Sequence, residues 1–200
     1  MNYNLIAPYY DTLSRICFFN RQQIAHRLIL NYLKPNDRIC WIGGGSGWFL
    51  MEMDQLKIPL KIDYIEFSEV MINYAKNQKL KHINVNFIQL DVFKFEPNNT
   101  YDVIISAFIF DHFSVKKCEK LFEKLNQQLQ DKGLWFYVDF QQNQLIWQRF
   151  LSQLMVLFFD WIAGMGKQSF PKIEYLFKNF KPLQKENYFF SYIESIVYQK

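Results

Sequence analysis

The spacing of apolar positions changes several times along the chain, and the changes lay out strands and helices in alternation. Residues 22–33 carry apolar side chains at helical spacing and stop short of Pro35, which predicts a helix. Residues 38–42 (RICWI) form a short apolar run ending in glycines, as a buried strand does. A helix is expected over 46–56, a strand over 61–65, and a helix over 68–77 capped by Ser68. Strands are expected over 85–90 and 102–108, the second apolar on both faces like the middle of a parallel sheet. A helix over 115–129, an Asp131-Lys132-Gly133 turn and a strand over 134–139 follow.

The C-terminal part has a different rhythm. Residues 144–162 read as one long helix rich in Trp, Phe and Leu, and 171–180 as a short helix. Residues 183–190 and 193–199 read as two strands joined by a tight turn near Ser191, a connection that makes an antiparallel pair. Strands alternating with helices imply βαβ units. The expected fold is therefore α/β, a three-layer sandwich whose seven-stranded, mostly parallel sheet ends in an antiparallel C-terminal hairpin. No linker, repeat or low-complexity tract divides the 200 residues, so one domain is expected over 1–200. Within it, 1–34 read as an N-terminal helical lid and 144–180 as a helical insertion on the substrate side.

Composition narrows the partners. Half the residues are hydrophobic and 21% are charged, as in a folded globular chain. Phe is in excess at 21 residues, which fits both a biased codon usage and an aromatic-walled pocket. The net charge of +4 is scattered, without the basic stripe and interleaved aromatics of a nucleic-acid channel. Cys17, Cys40 and Cys118 are far apart and show no CxxC spacing, so neither a disulfide framework nor a zinc site is expected and a reducing cytoplasm fits. His26 and His82 lack a second ligand at metal-binding spacing and read as structural. No signal peptide is expected at 1–11, and the longest apolar stretch, 154–159, is too short to be an integral membrane segment.

The chemistry concentrates at Ile42-Gly43-Gly44-Gly45-Ser46-Gly47, between a predicted strand and a predicted helix. Glycines there allow a tight turn with backbone close to a ligand, at a helix N-terminus with unpaired N–H groups. Glu66 ends the second strand, where a carboxylate accepts both hydroxyls of a ribose; an ordinary loop glutamate is the alternative. Asp91 ends the third strand, placed either to accept from an adenine amino group or to cap a turn. All three features fall at C-terminal strand ends, where open α/β sheets bind ligands.

Taken together these residues resemble the class I S-adenosylmethionine (SAM)-dependent methyltransferases, over nearly the whole chain. Arg38 to Gly47 is similar to the family's first motif, and Tyr64-Ile65-Glu66-Phe67-Ser68-Glu69-Val70-Met71-Ile72 to its second. Gln89-Leu90-Asp91-Val92 matches the adenine-side motif, and Tyr101 to Ser106 the fourth strand. Leu125 to Val138 resembles the family's helix, glycine turn and fifth strand, and the final hairpin its antiparallel last strand. The resemblance implies a Rossmann-like sheet and SAM as cofactor, held by Gly43, Gly44, Gly45, Gly47, Glu66, Phe67, Met71, Asp91, Val92 and Ser106. The N-terminal Ile6-Ala7-Pro8-Tyr9-Tyr10-Asp11 resembles the segment preceding the domain in ubiquinone/menaquinone-type methyltransferases, which makes Tyr10 a cofactor lid residue or else a surface aromatic. One position departs from the family: Trp41 stands where an acidic residue helps to organise the cofactor's methionine end.

Methyl transfer from a sulfonium is an in-line displacement, and holding the reactants collinear in a dry site supplies much of the rate. A base is needed only where the acceptor still carries its proton. Asp111 and His112 after the fourth strand, and Asp139 at the end of the fifth, are the catalytic candidates, although Asp111, Ser114 and Asp139 also sit where helix caps sit. The apolar stripe over 146–162 reads as core and wall of an acceptor pocket; a homodimer contact or a membrane-resting face is the alternative, and its few cations argue against the membrane. The expected activity is methylation of a small apolar or aromatic molecule, without metal. The alternative is a non-catalytic member that binds SAM, its product or a partner. Residues 106–109 lack the Asn/Asp-Pro-Pro-Tyr sequence of base methylation, and no Tyr-x-x-x-Lys follows the fourth strand as an NAD-dependent oxidoreductase requires.

Overall fold

In the computed structural model the described residues are 21–97, 99–141, 145, 148 and 171–200. Seven strands form one sheet: β1 (Arg38–Ile42), β2 (Leu60–Glu66), β3 (Ile83–Gln89), β4 (Tyr101–Ala107), β5 (Leu129–Phe140), β6 (Lys181–Tyr188) and β7 (Ile193–Gln199). Their order is β3-β2-β1-β4-β5-β7-β6. The first five are mutually parallel, and β7 lies antiparallel between β5 and β6. The chain works outward from β1 to β3, then crosses to β4 on the other side of β1. That reversal opens a crevice at the C-terminal ends of β1 and β4, the place where such sheets take ligands.

The period-2 alternation of β1 divides the interior into two layers. Ile39 and Trp41 join Tyr64, Phe49 and Leu50 on one face of the sheet, while Cys40 and Ile42 join Ile104, Phe122 and Trp135 on the other. The helices are α1 (Arg21–His26), which runs into a 3-10 turn at Arg27–Asn31, then α2 (Trp48–Asp54), α3 (Glu69–Lys76) and α4 (Val115–Gln128). Ser68 caps α3 as expected, its Oγ accepting from the Met71 N–H at 3.3 Å. Asp54, at the end of α2, accepts the N–H groups of Lys81, His82 and Ile83 and so ties that helix to the start of β3. Burial pushes this carboxyl up, but those donors outweigh it and hold Asp54 below the usual carboxylate range.

Two expectations are corrected. The second helix starts only at Trp48, because Gly47 holds a left-handed φ of 76° and stands outside it. The Asp131-Lys132-Gly133 turn is not a loop before a strand but a bulge inside β5. Leu129 pairs with Tyr101 and Leu134 with Val103, and the intervening residues arch out with Lys132 at φ 64°. In the described part of the segment expected as a lid, Ala25, Leu28 and Ile29 are buried, and the Ser195 hydroxyl of β7 donates to the Ala25 carbonyl at 2.9 Å. Tyr10 and nearly all of the long helix over 144–162 lie outside the described residues. Among the described residues no helix is long and apolar enough to cross a membrane.

His26, at the end of α1, is buried with its ring 5.2 Å from Trp48, 5.3 Å from Phe49 and 5.6 Å from Phe108. Burial lowers its pKa to about 4, against the raising effects of the Gln22 carbonyl and the Glu52 charge. The unfolded chain therefore binds this proton more readily than the folded one, from an ordinary value of 6.5. Its contribution is complete above pH 6.5 and is lost as the pH falls towards 4, a difference of roughly 3 kcal/mol. Urea denaturation at several pH values checks this: His26→Phe is expected to flatten the acid slope of stability relative to the parent protein.

Candidate functional site

The glycine turn is built by its packing. The Gly43 and Gly44 N–H groups donate to the Ile65 carbonyl at 2.8 and 3.4 Å, hooking the turn over the end of β2. A Cβ on Gly44 would lie 2.1 Å from the Tyr64 ring, whose hydroxyl donates to the Gly45 carbonyl at 3.0 Å. A Cβ on Gly47 would lie 2.8 Å from the Ala75 Cα. Gly44 and Gly47 therefore shape the turn from behind, whereas Gly43 and Gly45 line a cavity of about 390 Å³. At Gly45 nothing stands within 4 Å of a Cβ position, so its backbone faces open space.

Glu66 points at this turn. Its Oε2 accepts the Gly45 N–H at 3.0 Å and its Oε1 the Ser68 N–H at 2.7 Å. Burial raises its pKa, opposed by the N–H groups of Ser68, Gly45 and Phe67. Trp41 does not fill the crevice. Its ring packs at 5.2 Å from Tyr64 and 5.8 Å from Phe49 inside the core, and its Nε1 has no hydrogen-bond partner among the described residues.

The far wall comes from the segment after β3. Asp91 faces the cavity while its Oδ1 accepts the Phe93 N–H at 3.0 Å, so it is both a lining residue and a turn cap. Lys124 of α4 pins this segment by donating to the Phe93 and Phe95 carbonyls, each at 2.9 Å. Val92 and Met71 line the cavity, and Phe67 stands at it half exposed. Phe93, Phe113 and Lys117 complete this side; the two rings meet edge-on at 4.8 Å, with the Lys117 ammonium 5.6 Å from the Phe93 ring centre.

The remaining candidates separate. Ser106 is not at the cavity: it is fully buried, accepts from the Trp135 indole N–H at 2.9 Å and donates to the Phe136 carbonyl at 3.4 Å. Being two residues from Ile104 on β4, it shares that residue's face and points under α4. Of the catalytic candidates only His112 lines the cavity. Its Nε2 lies 3.6 Å from Asp111 Oδ1, and Asp111 and Asp139 are buried behind it. Asp139 accepts the Asp111 N–H at 3.2 Å and the Phe140 N–H at 2.8 Å, bracing the end of β5 against the turn after β4. Burial pushes the Asp111 carboxyl up and the Asp139 carboxyl well up, the latter with the Asp111 charge adding to the effect.

A strand order of 3-2-1-4-5-7-6, a glycine turn after β1 and a carboxylate at the end of β2 that faces it are now joined by one further finding. The family described as "Methyltransferase domain" matches residues 39–133. Over that stretch, just under half of the chain, the likeness is to the SAM-dependent methyltransferases. The chain is 25% identical over 164 residues to a carboxy-S-adenosyl-L-methionine synthase of Nautilia profundicola, covering 80% of this chain and 68% of that protein. It is 30% identical over 145 residues to a malonyl-[acyl-carrier protein] O-methyltransferase of Halalkalibacterium halodurans, covering 67% of this chain and 51% of that protein. The chain thus spans about half to two thirds of the length of these relatives. Its fold resembles that of the N-methyltransferase NodS of Bradyrhizobium japonicum, solved with S-adenosyl-L-homocysteine, with a TM-score of 0.63, 11% identity, and coverage of 90% and 86% of the two chains. The likeness is one of fold: the seven-stranded, mostly parallel sheet with its antiparallel C-terminal hairpin is Rossmann-like.

Proposed function

We propose that the chain binds SAM in this cavity and transfers the methyl group to a small apolar or aromatic molecule. The observation that carries the reading is the orientation of Glu66, turned onto the glycine turn beside the open face of Gly45. In this reading Glu66 takes the ribose hydroxyls, Gly43 and Gly45 let backbone approach the ligand, and Asp91 takes the adenine amino group. Phe67, Met71 and Val92 hold the flat base between apolar side chains and keep water from it. Bound SAM supplies a methyl group on a sulfonium, activated for displacement. His112 is the imidazole on the cavity wall that can hold an acceptor's proton, and its Nε2 lies 3.6 Å from the Asp111 carboxyl. Asp139 acts through Asp111 by fixing its backbone.

Calorimetric titration with S-adenosylhomocysteine tests the cofactor half of the reading. Saturable binding in the micromolar range is expected, and no heat at high micromolar ligand from a folded protein overturns it. A second reading, a non-catalytic SAM-binding member, is favoured by Trp41, which removes from β1 the charge the family keeps there. Binding without methyl transfer to any member of a panel of phenols, amines and thiols would favour that second reading.

A further inference from the structure

A single lysine stands among the acids of the cavity. Of the described residues that line it, Lys117 is the one lysine or arginine, in company with the carboxylates Glu66 and Asp91. It lies in the first turn of α4 and is exposed. Its ammonium makes no hydrogen bond or ion pair to a described residue and faces the Phe93 ring, 5.6 Å from the ring centre. Folding gives a poor reason for a cation at this place. The helix dipole is positive there, the first turn of α4 holds Lys116 and Lys117 and no acid, and Ser114 makes no side-chain cap. A phenyl face at an exposed site is a weak return for that placement. Position 117 also lies outside every segment by which the chain resembles the methyltransferase family.

The platform beneath Lys117 is fixed. Lys124, two helical turns further along the same face of α4, donates to the Phe93 carbonyl, the Phe95 carbonyl and Glu96 Oε1, each at 2.9 Å. An ammonium has three donors, so that lysine is spent on the 93–96 segment. Asp91 holds the same segment from the other side through its Oδ1 and the Phe93 N–H, and its Oδ2 has no donor among the described residues. A carboxylate oxygen that accepts and an ammonium that donates are thus mounted on either side of Phe93, and both face the cavity. The edge of an adenine presents the complement of this pair. Its amino group donates, and the ring nitrogens N1 and N7 that flank the amino group accept. We infer that Lys117 is a specificity-determining residue for the cofactor: its ammonium leaves the Phe93 ring and donates to a ring nitrogen beside the amino group that Asp91 takes. A flexible four-carbon stem with a rotatable head makes that exchange without moving α4. The inference rests on the SAM-binding reading above and adds to it the side chain that recognises an acceptor nitrogen on the base.

Titration calorimetry on the full chain tests this with S-adenosylhomocysteine and its 1-deaza and 7-deaza counterparts, each of which has one ring nitrogen replaced by C–H. Lys117→Met keeps the length of the side chain and removes its charge. It is expected to weaken S-adenosylhomocysteine about tenfold, the loss of one hydrogen bond from a charged donor. With one of the two deaza compounds the parent and Lys117→Met are expected to bind equally, and that compound names the nitrogen. Lys117→Arg, which restores a charged donor, is expected to recover most of the loss. Lys116→Met, whose lysine is next in the chain but does not line the cavity, is expected to bind as the parent does. Equal affinity for S-adenosylhomocysteine in the parent and Lys117→Met overturns the assignment. So does the same loss on all three ligands, because the lysine would then act on the wall and not on the base. An equal loss in Lys116→Met overturns it as well, since a general positive field would explain both. Failure of the parent protein to bind any of the three would instead overturn the underlying SAM-binding reading, and the assignment with it.

Discussion

Glu66→Ala is expected to weaken S-adenosylhomocysteine binding by about 100-fold, ~3 kcal/mol, as the loss of two charge-assisted hydrogen bonds requires. In the SAM-binding reading the carboxylate sits between ligand and turn, and it already accepts from the Gly45 N–H and the Ser68 N–H. Removing it leaves both the ribose hydroxyls and these donors without an acceptor. Glu66→Gln separates the two losses. An amide oxygen can keep one backbone bond and the shape of the turn, but its charge is gone. It is expected to fall between the parent and the alanine variant in titration calorimetry, while its melting temperature stays close to the parent's. Because burial raises the carboxyl's pKa, affinity in the parent is expected to decline on acidification before an exposed glutamate would protonate, and the glutamine variant to lack that decline. A Glu66→Ala protein that binds as tightly as the parent would remove Glu66 from the site.

The largest effect on stability is expected from Gly47→Ala. The residue holds φ 76°, and its new methyl would meet the Ala75 Cα at 2.8 Å and Cβ at 2.7 Å. One of those atoms is backbone, so no side-chain rotation relieves the contact. The left-handed penalty and the overpacking together amount to about 3 kcal/mol. For a chain of this size that lowers the melting temperature by about 6–12 °C. Gly45→Ala is the informative contrast. It carries a similar φ of 68° but meets nothing within 4 Å. It is expected to lose only the backbone part, about 1 kcal/mol, and to show its main effect as weaker cofactor binding, because its methyl enters the cavity. A thermal melt and a titration on each protein decide between the two roles.

Much of this site is legible in the amino-acid sequence, for a local reason. The glycine turn, Glu66 and Asp91 each sit at the end of a strand, so the strand pattern alone fixes their height on the sheet. Phe93, Phe113 and Lys117 carry no such signal. They reach the cavity because Lys124 pins the 93–95 backbone from α4 and because the turn after β4 brings the start of α4 across, both long-range effects. The family motif places Ser106 at the cofactor, whereas strand alternation puts it on the face of Ile104, where it lies. The β5 bulge is hidden because Asp-Lys-Gly is as good a signal for a turn as for an arch within a strand.

Gly43 couples the two halves of the cavity. A Cβ there would sit 2.7 Å from the Ile109 side chain, so the first glycine and the residue after Phe108 already touch with no spacer between them. The glycine turn and the segment that presents His112 are thus packed against each other. Filling one compartment then changes the work of filling the other, and thermodynamic reciprocity makes the gain mutual. In the methyl-transfer reading, donor and acceptor affinities, each measured in the presence of the other, are expected to shift by one and the same factor.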